Sequence, residues 1–284
     1  MEIENNEVME QEPKKKKKER VKVLRRVLLK VAYDGTNYVG WQMQPNGLAI
    51  EEVINSKLKE LTGEDILVIG ASRTDSGVHA LGNVAVFDTY SPIPPEKFSY
   101  CLNKVLPDDI VIKESFEVAS DFHPRHVDCE KCYEYVIYNS RFPNPLKISH
   151  DYFLYFNLNV DKMREAAKLL EGEHDFLSFS NPKGQQKTSV RNVYSICITE
   201  IPDDFVEGSK EIRIRVRGNG FLYNMIRIIV GTLIKVGLNV YKPEHVKEIL
   251  EAKDRGAAGP TAPACGLKLV EIKYDVDPRL DVKA

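Results

Sequence analysis

One segment constrains this 284-residue chain more than any other. Phe221–Val236 reads FLYNMIRIIVGTLIKV and is apolar on nearly every face of a helix. A helix of that kind has to be buried. It does not suit a membrane, because Asn224, Arg227 and Lys235 interrupt the run and a spanning helix wants ~20 nearly uncharged residues. The helix is therefore expected inside a protein core, with Arg227 in its middle. A guanidinium keeps its charge and is costly to desolvate unless it is paired. Either Arg227 snorkels to a helix edge, or the fold supplies a carboxylate or an anionic ligand. Asp75 is a candidate partner from elsewhere in the sequence.

Around that helix, periodicity predicts interleaved strands and helices. Strands are expected at Arg26–Tyr33, Ile66–Ser72, Asn83–Thr89 and Ile110–Val118, with helices near Ile50–Leu61 and Pro95–Val105. The second half adds strands at Tyr133–Asn139, Tyr152–Phe156, Val193–Thr199, Glu211–Arg217 and Lys268–Tyr274. Its helices are expected at Asp161–Leu170, Phe221–Val236 and Glu244–Asp254. The fold class is thus α+β: two similar α+β units with mostly antiparallel sheets, packed around a central cleft. The expected division is a charged tail at 1–23, an N-terminal unit at 24–121, a C-terminal unit at 122–278 and a short tail at 279–284.

The first twenty residues carry six acidic and six basic side chains, including five lysines from Lys14 to Lys18. No apolar periodicity occurs there, so a disordered tail is expected. No apolar stretch follows the first positive charges, which predicts no secretory leader. The whole chain carries 40 basic and 42 acidic residues, a net charge of −2. That balance excludes a protein that is basic all over its surface. Nucleic acid could be held only by a local patch, expected near Arg73, Lys183, Lys187 and Arg191, with Glu51, Glu52 and Asp203 facing elsewhere.

Five cysteines, an odd number, suit a reducing cytoplasm. His123, His126, Cys129 and Cys132 invite a zinc reading. Their regular spacing of three suits neither a strand nor the paired knuckles of zinc sites, so no metal is expected there.

Three elements can carry chemistry. GASRTDSGVHA at 70–80 follows a strand and presents Arg73, Thr74, Asp75 and His79 on a loop of small residues, where a substrate can approach the backbone. The plain alternative is that Asp75 only makes a turn with Ser76 and Gly77. The buried helix contributes Arg227. The strand at 133–139 places Tyr133 and Tyr135 on one face and Tyr138 on the other. A tyrosine can stack on a flat substrate or simply pack in the core. Trp41, Gln42 and Gln44 and the HDFLSFSN stretch at 174–181 add aromatic and polar loops that suit an unstacked nucleotide. No phosphate-binding P-loop, dinucleotide fingerprint, nucleophile elbow or HExxH motif occurs.

These residues resemble a known family. GASRTDSGVHA is similar to the catalytic loop of TruA-type tRNA pseudouridine synthases. YDGTNYVGWQMQP at 33–45, FHPRHVDCEKCYEYVIYN at 122–139, HDFLSFS at 174–180, GFLYNMIRIIVGTLIKVG at 220–237 and the GLKLVEIKY ending resemble further family motifs in the same order. The resemblance implies that Asp75 is the nucleophile and that Tyr133 packs on the target uracil. It implies that Arg227 pairs with Asp75, and that Arg73 helps push the uridine out of the stem. One departure is Ala49-Ile50-Glu51, where the family usually has a Thr-hydrophobic-Gln run. The implied substrate is the tRNA anticodon stem-loop at uridines 38 to 40, bound by a cytoplasmic homodimer that uses neither metal nor nucleotide cofactor. The alternatives are a synthase of the same superfamily with another uridine target, and a catalytically idle RNA-binding protein.

Overall fold

The computed structural model describes residues 22–181 and 188–279. The charged N-terminal tail and Lys183 and Lys187 lie outside these residues. Ten strands join in one mostly antiparallel sheet. The first half supplies β1 (Arg25–Tyr33), β2 (Ile69–Gly70), β3 (His79–Thr89) and β4 (Ile110–Val118). The second half supplies β5 (Cys129–Asn139), β6 (Tyr152–Leu154), β7 (Gly172–Asp175), β8 (Val190–Pro202), β9 (Lys210–Gly218) and β10 (Leu267–Tyr274). The order along the sheet is β4-β1-β3-β10-β5-β9-β8-β7, with β2 beside β3 and β6 beside β5.

The two halves are therefore continuous. The last strand makes the join: β10 runs parallel to β3, with Lys268 opposite His79, and antiparallel to β5, with Leu269 opposite Tyr133. This one pairing carries the end of the chain to the foot of the 70–80 loop. Strand alternation divides the inner strands. On β9, Ile212, Ile214 and Val216 are buried in the core while Arg213, Arg215 and Arg217 occupy the opposite face.

Helices α1 (Ile50–Thr62) and α2 (Phe98–Leu102) belong to the first half, and α3 (Val160–Lys168), α4 (Met225–Gly237) and α5 (His245–Ala252) to the second. In α1, Ile50, Ile54 and Leu58 are the buried stripe, and Gly63 ends the helix in a left-handed conformation. Asn159 caps α3 through its side chain, one turn before the apolar face of Met163 and Ala167 begins. As its sequence demands, α4 is buried almost throughout. Among the described residues no helix is long and apolar enough to cross a membrane.

Some elements depart from the sequence reading. Strand Ile66–Ser72 shrinks to Ile69–Gly70, and helix Pro95–Val105 becomes a 3-10 turn at Pro95–Lys97 followed by the short α2. β7 has no counterpart among the expected elements. The most useful departure is at α4, which starts at Met225 rather than Phe221. Asn224 has φ +60°, a left-handed conformation that asparagine tolerates better than most residues, and it breaks the helical run. Phe221–Asn224 are thereby freed to form a wall of the cleft described next.

Candidate active site

A cleft of about 720 Å³ opens where the 70–80 loop, β5 and the segment before α4 meet. Asp75, Arg73, Tyr133, Lys131, Arg125 and Phe221 are among its lining residues. The loop that carries Asp75 is a built turn. Asp75 accepts the amide of Val78 through its carbonyl, and Gly77 adopts φ +74°. The YDGTNYVGWQ segment packs under the loop. Trp41 donates its amide to the Thr74 carbonyl at 3.1 Å. A side chain at Gly40, which has φ +107°, would meet that same carbonyl oxygen at 2.5 Å, so only glycine allows this approach. Tyr33, from the end of β1, shares a 2.6 Å hydrogen bond with the Thr74 hydroxyl.

Arg227 projects from the first turn of α4 toward Asp75. Its Nη1 lies 3.4 Å from Asp75 Oδ2, and both side chains are largely buried. Two shorter bonds hold the same guanidinium: Nε donates to the Ala262 carbonyl at 2.7 Å, and Nη1 donates to Asn224 Oδ1 at 2.9 Å. Arg227 is thus anchored by neutral acceptors, and Asp75 receives only its outermost hydrogen bond. An arginine neighbour alone would depress the carboxylate pKa. Here burial comes first and raises the Asp75 pKa above the ordinary aspartate value, with Arg227 offsetting only part of the rise.

Tyr133 lies on β5 with its ring edge against Phe221, centroids 5.4 Å apart. Its hydroxyl is 2.7 Å from Ser72 Oγ, which ties the tyrosine to the start of the loop that carries Asp75. Burial, as the largest cause, pushes the Tyr133 phenol up to about 12. Tyr135 on the same face is fully buried, and its hydroxyl donates to the Pro263 carbonyl. Tyr138, on the opposite face, bonds Asp203. Arg73 is exposed at the cleft and forms no ion pair among the described residues.

The structure brings together all four residues singled out in sequence: Asp75, Tyr133, Arg73 and Arg227. It also adds partners that the sequence reading passed over. Asn224 and the Ala262 carbonyl orient Arg227, Phe221 abuts Tyr133, and Lys131 lies two residues before Tyr133 on the same strand face. Strand alternation alone could have flagged Lys131. The charge expectation needs one amendment. Glu51 does not face away from the cleft: burial and Arg73 hold the Arg125 guanidinium below its usual range, Glu51 stands close enough to oppose them in part, and it accepts the Met43 amide at 3.0 Å.

The zinc-type residues of 123–132 are not gathered into a site. The rings of His123 and His126 stack on each other, and Cys129 and Cys132 fall on opposite faces of β5. Among the described residues, His, Cys, Asp or Glu donors converge in one group of three, Asp34, His79 and His150. Those donors already serve one another and the backbone. Asp34 Oδ1 accepts from Thr36, Asp34 Oδ2 lies 3.0 Å from His150 Nε2, and His79 Nδ1 accepts the Gly35 amide. This cluster pins the connection after β5 to the end of β1.

The sequence model of the family described as tRNA pseudouridine synthase matches residues 30–126 and 166–275. The tRNA pseudouridine synthase A of Acetivibrio thermocellus is 47% identical over 251 residues, 88% of this chain and 100% of that protein. That of Ruminiclostridium cellulolyticum is also 47% identical over the same shares. The tRNA pseudouridine synthase A 2 of Clostridium tetani is 48% identical over 253 residues, 88% of this chain and 99% of that protein. A family model that matches most of the chain, and relatives near 47% identity along their whole length, show that the chain belongs to the tRNA pseudouridine synthase family.

Proposed function

We propose that this protein isomerises uridine to pseudouridine at positions 38, 39 and 40 of the tRNA anticodon stem-loop, with Asp75 as the nucleophile. The observation that carries the reading is the floor of the cleft. One buried carboxylate sits there, loosely held by one anchored guanidinium, beside a tyrosine ring, and the other charges lining the cleft belong to Arg73, Arg125 and Lys131. Family membership supports the reaction class, and the resemblance of the 70–80 loop supports the choice of target.

The chemistry asks little else of the protein. The N1–C1′ bond breaks, the uracil turns, and a C5–C1′ bond forms; the hydrogen leaves C5 as a proton and N1 ends protonated. Nothing is oxidised or hydrolysed overall, so no cofactor is assigned a step. Asp75 attacks covalently, at the base or at the sugar. The uridine must first leave the helical stack, at a cost of a few kcal/mol. Arg73 at the mouth of the cleft and the Tyr133–Phe221 wall offset that cost by holding the extruded nucleotide. Ionised Asp75 is the reactive form, and Arg227 keeps it accessible despite burial.

The reading includes a cytoplasmic homodimer, which sedimentation of the purified protein tests. The decisive experiment maps pseudouridine in a transcribed tRNA treated with wild type and with Asp75→Ala. Conversion at 38 to 40 by wild type alone is expected. Conversion confined to other uridines would move the target, and conversion by Asp75→Ala would remove the nucleophile.

A further inference from the structure

We propose that Lys131 grips a backbone phosphate of the RNA next to the extruded nucleotide, in an anion subsite that it forms with Arg73 and Arg125. This rests on the RNA reading above and adds to it a specific contact.

Several half-buried cations elsewhere have carboxylates, while Arg25 and Arg255, which have none among the described residues, each hydrogen-bond two or more neutral oxygens. Arg215 and Lys268 share Glu134, Lys147 has Asp203 and Glu211, and Arg227 has Asp75. Lys131 differs. Its ammonium lies deep in the wall of the cleft, and among the described residues no carboxylate stands within ion-pair distance of it. Among the described residues its one hydrogen bond goes to the Ala71 carbonyl, at 3.0 Å. An ammonium has three donors, so among the described residues two have no acceptor. Burial is the main influence holding its pKa below that of a free lysine, and the positive charges of Arg125 and Arg191 act the same way. The opposing neighbour, Cys129, is itself pushed up by burial and stays a neutral thiol. A cation held in this way wants an anion that the described chain does not provide.

Position says which anion. Lys131 and Tyr133 share one face of β5, and Ala71 precedes Ser72, whose hydroxyl meets the Tyr133 hydroxyl. The unfilled donors therefore sit beside the place where a base against Tyr133 joins its backbone. Arg73 and Arg125 line the same cleft and have no ion pair among the described residues. The anion an RNA brings there is the phosphodiester, to which lysine and arginine contacts supply affinity and register.

The test uses tRNA already converted by the wild-type protein, so that no turnover intervenes, and measures binding across a range of KCl concentrations. Lys131→Gln keeps a donor for the Ala71 carbonyl but loses the charge. Its plot of log affinity against log salt is expected to be shallower by roughly 0.7 to 0.9, the share of one phosphate. Affinity at low salt should fall roughly tenfold. Lys131→Arg should restore the slope. Arg125→Gln, at an exposed position, should show a similar loss. A wild-type slope in both Gln variants would overturn the subsite and leave Lys131 as a tether for the catalytic loop. Wild-type conversion of the tRNA is the separate check on the RNA reading. If it fails, that reading falls, and the slopes are still read on unconverted transcript.

Discussion

Glu134 and Asp75 are both buried carboxylates facing a guanidinium, yet they shift in opposite directions. Glu134 lies on the face of β5 away from the cleft. Its Oε1 is 2.9 Å from Lys268, and its Oε2 is 2.7 Å from Arg215. Burial works to raise its pKa, but two cations overcome it and the net shift is downward. Around it Arg217 pairs with Glu130, and Arg213 with Glu211, so this face is a lattice of satisfied charge. On the cleft face of the same strand, Lys131 has no carboxylate partner among the described residues. Beside it, Asp75 has one cation at 3.4 Å that is committed to other acceptors. There burial wins. One strand thus separates a saturated charge network from a deliberately incomplete one. Saturation holds the sheet together; incompleteness leaves charge available to a substrate.

The contrast breaks if removing either carboxylate has the same result. Asp75→Ala should lower pseudouridine formation in transcribed tRNA by roughly 10⁴-fold or more, the scale seen when a nucleophile is removed. Thermal melting should change little. Arg227→Ala should cost about 10²-fold in rate, as loss of one preorganised charge contact does. The pH profile sharpens this. Because the folded pKa of Asp75 is raised above 3.8, activity should fall with decreasing pH at a higher pH than an ordinary aspartate would give. Removing Arg227 takes away the lowering influence, so in Arg227→Ala the acid limb should move further toward neutral. A limb that stays put would mean that the pair does not govern ionisation.

Glu134→Ala should do the reverse. It strands Arg215 and Lys268 on the sheet, and breaking such a buried pair is costly. With Arg215 half exposed, about 2 kcal/mol is expected, after allowing for solvent screening. Activity per folded molecule should remain near wild type. The sign of the pH effect follows from the depressed pKa. The contribution of Glu134 is fully present above its unfolded value of about 4.5 and is lost as pH falls through its lower folded value. The difference in denaturant midpoint between wild type and Glu134→Ala should therefore shrink under acid conditions.

The sequence showed more of this site than of the fold that carries it. A guanidinium inside a helix apolar on all sides demands a partner by charge alone; that the partner is Asp75, 152 positions away, was only a candidate from charge and was implied by the family resemblance. The direction of the Asp75 shift could not be read, because it depends on how deeply the loop is buried against how firmly Ala262 and Asn224 hold the arginine. Strand alternation identified the face of Tyr133 and would have identified Lys131, but that no acid among the described residues pairs with Lys131 is a fact of packing. The register of β10 against β3 brings residue 268 beside 79, and no local pattern encodes such a contact. At Phe221–Asn224 apolar residues continued the helical pattern past its true start, because the pattern is blind to a single left-handed residue.

The smallest expected effect tests whether Tyr133 belongs to the reactive side of the strand through its ring or through its hydroxyl. Tyr133→Phe keeps the ring against Phe221 and removes only the hydrogen bond to Ser72. A buried neutral hydrogen bond contributes about 1 kcal/mol, so a loss of stability near that size is expected. With a pKa pushed up to about 12, the phenol stays protonated near neutral pH and is a poor base there. The rate should therefore fall only a few-fold, through slight loosening of Ser72 and the loop that follows it. Tyr133→Ala should fall much further, since it removes the wall against which a base would lie. If Tyr133→Phe were inactive but melted normally, the hydroxyl would be chemical. The Ser72–Tyr133 bond would then be part of the reactive apparatus of the cleft rather than a brace for it.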